Sequence, residues 1–301
     1  MAQADKIRTL VNQLPAPDKS GTYVHLDEAM IKQIEKVTAE LAAGGKSAAE
    51  ALVDMQLAPG AGDDIKARYA LHRLAVHHSG GKDDKARSEF CQVLAGHLAG
   101  DKPAGVKQYL IQELQVCGRT ECVSAVGACL LDEELCDWAG RTLASIGRGQ
   151  AAAAGVREQF LAALPKAKAL GAPNGGKARL VILNKLAVLQ DVQAGDALKQ
   201  ALGDSQAEAR VAAGWALARM ADPSAAGPLL QAADKAAGYE RNHLTDACLT
   251  LAENLLQAGK KSQAAGILDH VRKTRTDKSE AHFATAAERA MAQAKLPAVP
   301  S

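Results

Sequence analysis

Five stretches of the chain end on a leucine with an apolar residue four positions earlier: Ala70 and Leu74, Leu110 and Leu114, Ala139 and Leu143, Ile182 and Leu186, Ala213 and Leu217. A step of four returns to the same helix face one turn on, so each pair predicts a buried helical stripe. The closing leucines stand 29 to 43 residues apart, the range of a repeat built from two helices with loops of variable length. A second amphipathic segment precedes each stretch, such as Phe90, Leu94 and Leu98, or Cys122, Val126 and Leu130. Breakers fall between segments: Gly60 to Gly62, Gly80-Gly81, Gly100 to Pro103, Gly118, Gly147 to Gly149, Gly171 to Gly176, and Asp222-Pro223. Glycine supplies the left-handed helix stop, while Asp63, Asp132 and Asp204 are placed to cap second helices. No region alternates with the period of a strand. The pattern predicts an all-α chain of tandem helix–turn–helix units.

Three of these second segments carry a more specific pattern. DSQAEARVAAGWALARM, from Asp204, has an aspartate, a small residue with arginine, paired alanines and then Ala-Leu. DEELCDWAGRTLASIG from Asp132 and DDIKARYALHRLA from Asp63 are looser versions. These residues resemble the HEAT-repeat family over residues 45 to 258. The resemblance implies an α-solenoid of stacked antiparallel helix pairs, commonly a protein-binding scaffold; the proline typical of the family's first helix is absent here. The segment from Leu251 to Val271 resembles a tetratricopeptide helical pair instead. The expected organisation is N-terminal capping helices over 1–44, HEAT-like repeats over 45–258, C-terminal tetratricopeptide-like capping helices over 259–296 and a mobile tail over 297–301. Within the first segment, 3–14 and 26–42 read as helices and Pro15 to Gly21 as a linker.

Composition sharpens this picture. Ala and Leu account for 63 and 35 of the 301 residues, while only 3% are aromatic; that favours helices and excludes a sandwich or barrel. With 48% apolar residues the chain can bury a core. Its 36 basic and 34 acidic residues leave a formal charge of +2, no field to steer a polyanion, so a nucleic-acid partner is disfavoured. No apolar run is long enough for membrane insertion. The expected compartment is the cytoplasm; the alternative is export, since Ala2-Gln3-Ala4 resembles the end of a signal cleavage site.

In stacked helix pairs the second helices usually line the concave face. Two residues before each closing leucine stand His72, Gln112, Arg141, Asn184 and Trp215, about 160° round from it. Five before it stand Tyr69, Tyr109 and Trp138. Aromatic and arginine side chains beside hydrogen-bonding groups have the composition of binding hot spots, and Trp215, among alanines, is expected to face outward. The competing reading is packing between neighbouring repeats. Together these eight residues define the expected surface for a protein or peptide partner.

Chemistry-bearing clusters are weaker. Five of six cysteines fall between Cys91 and Cys136, but without the C-x2-C knuckles of structural zinc they read as small buried side chains. Cys122 and Cys129 are expected on one helix. His72, His77 and His78 lack the spacing of a helical metal pair; the latter two read as a solvated helix end before Gly80-Gly81. The basic stretch 259–278 reads as a solvated turn. No motif marks a catalytic centre, metal or cofactor. The expectation is therefore a non-enzymatic scaffold, with a glycosylase-like nucleic-acid binder, or a HEAT-like lyase using His77, His78 or Cys117, as rivals.

Overall fold

In a computed structural model the described residues are 2–171 and 174–296, and none of them forms a strand. Cα packing divides the chain into two units, Met1–Gln159 and Phe160–Ser301. The first contains α1 (Ala2–Asn12), α2 (Glu28–Ala43), α3 (Gly45–Asp54), α4 (Ile65–Gly80), α5 (Asp84–Gly96), α6 (Ala104–Cys117), α7 (Val123–Ala128) and α8 (Cys136–Ile146). Helix α9 (Gln150–Leu170) contributes to both units. The second holds α10 (Asn174–Leu189), α11 (Gly195–Ala201), α12 (Ala207–Arg219), α13 (Ala226–Lys235), α14 (Gly238–Gln257), α15 (Lys261–Thr274) and α16 (Ala281–Gln293). The expected tail 297–301 lies outside the described residues.

The core follows the leucine pattern. Leu74, Leu114, Leu143, Leu186 and Leu217 are all buried, as are Ala70, Leu110, Ala139, Ile182 and Ala213 one turn earlier. Most helices pack on a sequence neighbour, on the helix after next, or on both. In the first unit α2, α4, α6 and α8 form one layer, and α1, α3, α5 and α7 the other. In the second, α10, α12 and α14 make a layer flanked by α11 and α13, and α15 and α16 close the succession. Stacked antiparallel helix pairs, the α-solenoid arrangement, thus build each unit.

Local signals set the boundaries. Asp63 accepts the N–H of Ile65, the first residue of α4, at 3.0 Å, while Asp132 and Asp204 accept N–H groups of the turns that lead into α8 and α12, Glu134 with Leu135 and Gln206. The helix caps themselves fall at Asp64, Leu135 and Gln206, so the three aspartates shape the entries to the helices and are not their N-caps. At the end of α14, Gly259 takes φ +75°, and the Lys260 N–H reaches back to the Leu255 carbonyl at 2.8 Å, a Schellman closure that needs a left-handed residue.

Three further expectations are corrected. Cys122 and Cys129 do not share a helix: 3-10 turns at Thr120–Cys122 and Cys129–Leu131 bracket the six-residue α7. His78 is not a solvated helix end; it is buried with its ring 4.9 Å from that of Phe90, and burial lowers its pKa. The basic stretch after Gly259 is not simply solvated: Arg275 is fully buried and bonded to Asp234 and Thr245, while Arg272 and Lys273 both pair with Asp269.

Candidate interaction groove

Three residues of α4, Tyr69, His72 and Val76, follow the i, i+3, i+7 spacing of one helix face. Tyr109, Gln112 and Val116 repeat it on α6, which packs directly against α4. The valines are surface residues, 38% and 39% exposed.

A third wall comes from the segment between α1 and α2. Asp18 gathers it into a turn, accepting the N–H groups of Ser20 and Thr22 and both their hydroxyls; those hydroxyl bonds, foremost, hold its carboxyl far below the usual carboxylate range. Gly21 turns the chain at φ +76°, a conformation costly for residues with a Cβ. The next aromatic residue, Tyr23, donates its hydroxyl to the Pro15 carbonyl and stacks on Tyr69, ring centroids 3.7 Å apart and 13° from parallel. Burial raises the pKa of both phenols, that of Tyr23 to about 12.

Arg68 and Tyr109 form the floor. The Tyr109 hydroxyl donates to the Arg68 carbonyl at 2.7 Å, and the guanidinium lies 4.8 Å from the Tyr109 ring centre. Asp64 and the Leu57 carbonyl hold that guanidinium in place. His72 faces the buried Glu113 at 3.0 Å; this hydrogen bond, outweighing desolvation, raises its pKa. With Val24, which is 73% exposed, these groups enclose a groove of about 450 Å³.

Of the eight residues expected to form one surface, Tyr69, His72 and Tyr109 line this groove. Gln112 stands half-buried beside it on α6. Trp138 and Arg141 pair with each other on α8, the guanidinium 5.3 Å from the ring centre, and Arg141 also meets Asp137 at 2.7 Å. Asn184 is exposed on α10 and Trp215 half-buried on α12, both in the second unit. Trp215 does not face fully outward because its helix is packed by α10 and α14. Sequence reasoning missed Tyr23, Arg68, Val76 and Val116. The valines were accessible by extending the helical period one turn past the leucine; nothing in the linker's composition marked Tyr23.

All six cysteines are buried. The Cys91 and Cys117 sulfurs lie 3.5 Å apart, and the Cys117 thiol donates to the Glu113 carbonyl. The bond from Cys91, then burial, raises the Cys117 pKa far above the ordinary thiol value. Among the described residues no group of three or more His, Cys, Asp or Glu side chains is placed to hold a metal ion, and no helix is long and apolar enough to cross a membrane.

Neither a protein-family model nor a curated protein matches the chain. Solved structures similar to it include an engineered protein, 18% identical, covering 97% of this chain and 84% of its own, with a TM-score of 0.41. The complex of CpcE and CpcF of phycocyanin lyase from Nostoc sp. PCC7120 is 14% identical over 72% of this chain and 94% of that one, TM-score 0.36. A computationally designed armadillo repeat protein for modular peptide recognition is 19% identical over 94% and 99%, TM-score 0.29. The helical-repeat architecture rests on this chain's own stripes, caps and helix-to-helix packing.

Proposed function

We propose that the chain is a non-enzymatic interaction protein that holds a peptide or protein segment against the α4–α6 face of its first unit. The observation that carries this reading is the groove itself, with Tyr23 stacked on Tyr69 and Arg68 against Tyr109; Val76 and Val116 lie outside its lining, exposed further along the same two helices. Rigid aromatic and guanidinium groups contribute contact area at small entropic cost, and exposed valines beside them provide apolar sites for a partner's side chains. The Trp138–Arg141 pair on α8, which packs on α6, extends the surface by one repeat; Gln112 supplies a polar contact between them. Asn184 and Trp215 lie on the second unit.

The non-enzymatic part is supported by the state of the groups best suited to chemistry. Cys117 is held as a thiol, and His78 is buried against Phe90.

Peptides selected from a displayed random library against the full chain test this directly, with affinities read by fluorescence anisotropy. Tyr69→Ala and Val76→Asp are expected to weaken binding at least about tenfold, or about 1.4 kcal/mol, Arg141→Ala to weaken long peptides more than short ones, and Trp215→Ala to change nothing. Unchanged affinity in folded Tyr69→Ala and Val76→Asp variants overturns the reading.

A further inference from the structure

We infer that Cys91 and Cys117 are a disulfide-forming pair, a modification site that makes the stability of the first unit depend on its redox environment. Cys91 lies on α5, and Cys117 is the last residue of α6, which packs on α5. Both are thiols in this structure, yet their sulfurs lie 3.5 Å apart. The Cys91 thiol also reaches the Cys117 carbonyl at 3.4 Å, and Nη1 of the buried Arg87 lies 2.9 Å from that carbonyl and 3.8 Å from the Cys91 sulfur. Bringing the sulfurs to bonding distance, about 2.05 Å, asks each to move by roughly 0.7 Å. That is the scale of a small side-chain rotation, not of a helix shift. The thiols of Cys122, Cys129 and Cys136 each donate instead to a carbonyl three or four residues back.

The oxidant is a low-molecular-weight disulfide, of which oxidised glutathione is an example. One cysteine thiolate attacks a sulfur of that disulfide, forming a mixed disulfide and releasing one small thiol; the other cysteine thiolate then attacks the protein sulfur of the mixed disulfide and displaces the second small thiol. One protein S–S bond has formed, the oxidant's S–S bond has broken, and the two cysteine protons leave on the two small thiols. Exchange belongs to folding and not to the finished native state, because both sulfurs are buried and a buried thiol is inert. The bond ties α5 to the end of α6 and closes a loop spanning 26 positions, which restricts the unfolded chain and so stabilises the folded one. A chain without structure would pair differently. Cys117 and Cys122, five positions apart, close a shorter loop at lower entropic cost, so a Cys91–Cys117 bond is the signature of the folded geometry.

Refolding the reduced, unfolded full chain in equal concentrations of reduced and oxidised glutathione, then quenching with acid, alkylating and mapping peptides by mass spectrometry, tests the assignment. A single linkage between Cys91 and Cys117 is expected, with Cys122, Cys129, Cys136 and Cys248 alkylated. Trp138, in the first unit, reports on its unfolding in a Trp215→Phe background. The urea midpoint it reads is expected to rise by at least about 0.5 M on oxidation and to fall back after dithiothreitol, while Cys91→Ser shows no such redox shift. Alkylated Cys91 and Cys117, a dominant Cys117–Cys122 or other linkage, or a Cys91–Cys117 bond that fails to raise the midpoint each overturns it. Should Cys91→Ser fail to fold, the peptide map and the midpoints of the chain with all six cysteines decide the matter.

Discussion

Replacing Arg87 by methionine isolates one buried charge in the first unit. Arg87 is 3% exposed and bonds Glu121 at 2.5 Å, Asp84 at 2.9 Å and the Cys117 carbonyl at 2.9 Å. After its removal Asp84 keeps Arg119 at 2.6 Å and is mostly in water, and the Cys117 carbonyl keeps the Cys91 thiol. Glu121, its side chain only 10% exposed, keeps the Arg119 backbone N–H but loses its cationic partner. Breaking a buried pair from one side costs about 3–5 kcal/mol. The lower end applies here because the remaining N–H still meets the carboxylate. With an m-value of about 2 kcal/mol/M, a loss of about 3 kcal/mol moves the urea midpoint down by about 1.5 M.

The chain's two tryptophans fall one in each unit, Trp138 and Trp215, so Trp138 fluorescence in a Trp215→Phe background reads the first unit alone. Burial on its own would push the Glu121 pKa up; the bonds from Arg87 and from backbone N–H groups bring it below its ordinary value. A depressed carboxylate stabilises above its unfolded pKa, near 4.3, and that contribution is lost as pH falls through the folded value. In Arg87→Met the order inverts: Glu121 is raised by burial, destabilises at pH 7 and recovers when protonated. The gap between parent and variant should therefore narrow from pH 7 to about pH 5. Arg87→Met combined with Glu121→Gln should return to within about 1 kcal/mol of the parent, since the uncompensated charge is gone. A double variant as unstable as Arg87→Met, with a gap indifferent to pH, would refute the reasoning.

Further outcomes are open to direct measurement. The His72–Glu113 pair stabilises fully below the ordinary histidine pKa, near 6.5, and fades as pH rises through the raised folded value; Glu113→Gln should bring the His72 NMR titration back toward 6.5, and an unmoved midpoint counts against the pair. Burial pushes the Cys122 and Cys248 thiols up to about 12 and Cys129 to about 11. An aromatic disulfide reagent should accordingly label none of the six cysteines before unfolding and all of them after it, a prediction lost if any thiol reacts at once in the native state. Gly259→Ala forces a Cβ into a left-handed position and should cost about 1–2 kcal/mol, read as a lowered midpoint for Trp215 fluorescence.

The leucine stripes were legible because a helix buries one face, and its period of 3.6 writes that face into the sequence whatever packs against it. The aspartates before the second helices were legible as turn formers for a similarly local reason, since each meets N–H groups two or three residues ahead. Tyr23 was not, because its partner Tyr69 lies 46 positions away and the linker's path depends on the Asp18 turn. His78 and Arg275 were misjudged for the same cause. Charge and position near a helix end suggest exposure, and only the neighbouring helices, which bring Phe90 over His78 and Asp234 to Arg275, reverse it. The eight expected surface residues were picked by their offset from a closing leucine, and such a period carries no information on where one unit ends and another begins.

A chain this rich in alanine poses a problem of register that its polar residues answer. Sliding one alanine-lined face along another by a turn, about 5.4 Å, exchanges like for like and changes the buried apolar area little. Contacts from each helix or its flanking turn to the one after next do not tolerate that slip. Arg87 reaches Glu121, Arg179 reaches Asp204, Arg210 reaches Glu240 and Arg241 reaches Glu280. Thr142 and Asn254 donate to the Ile111 and Ala218 carbonyls of the preceding same-layer helix. Buried ion pairs add little net stability, but a hydrogen bond near 3 Å is lost at any other offset, so they select one stacking over its neighbours. Tyr109 to the Arg68 carbonyl and His72 to Glu113 are two contacts of this kind, and both also shape the groove. The groove is thus made from contacts that fix α4 against α6, so the proposed binding face and the helix register share the same residues.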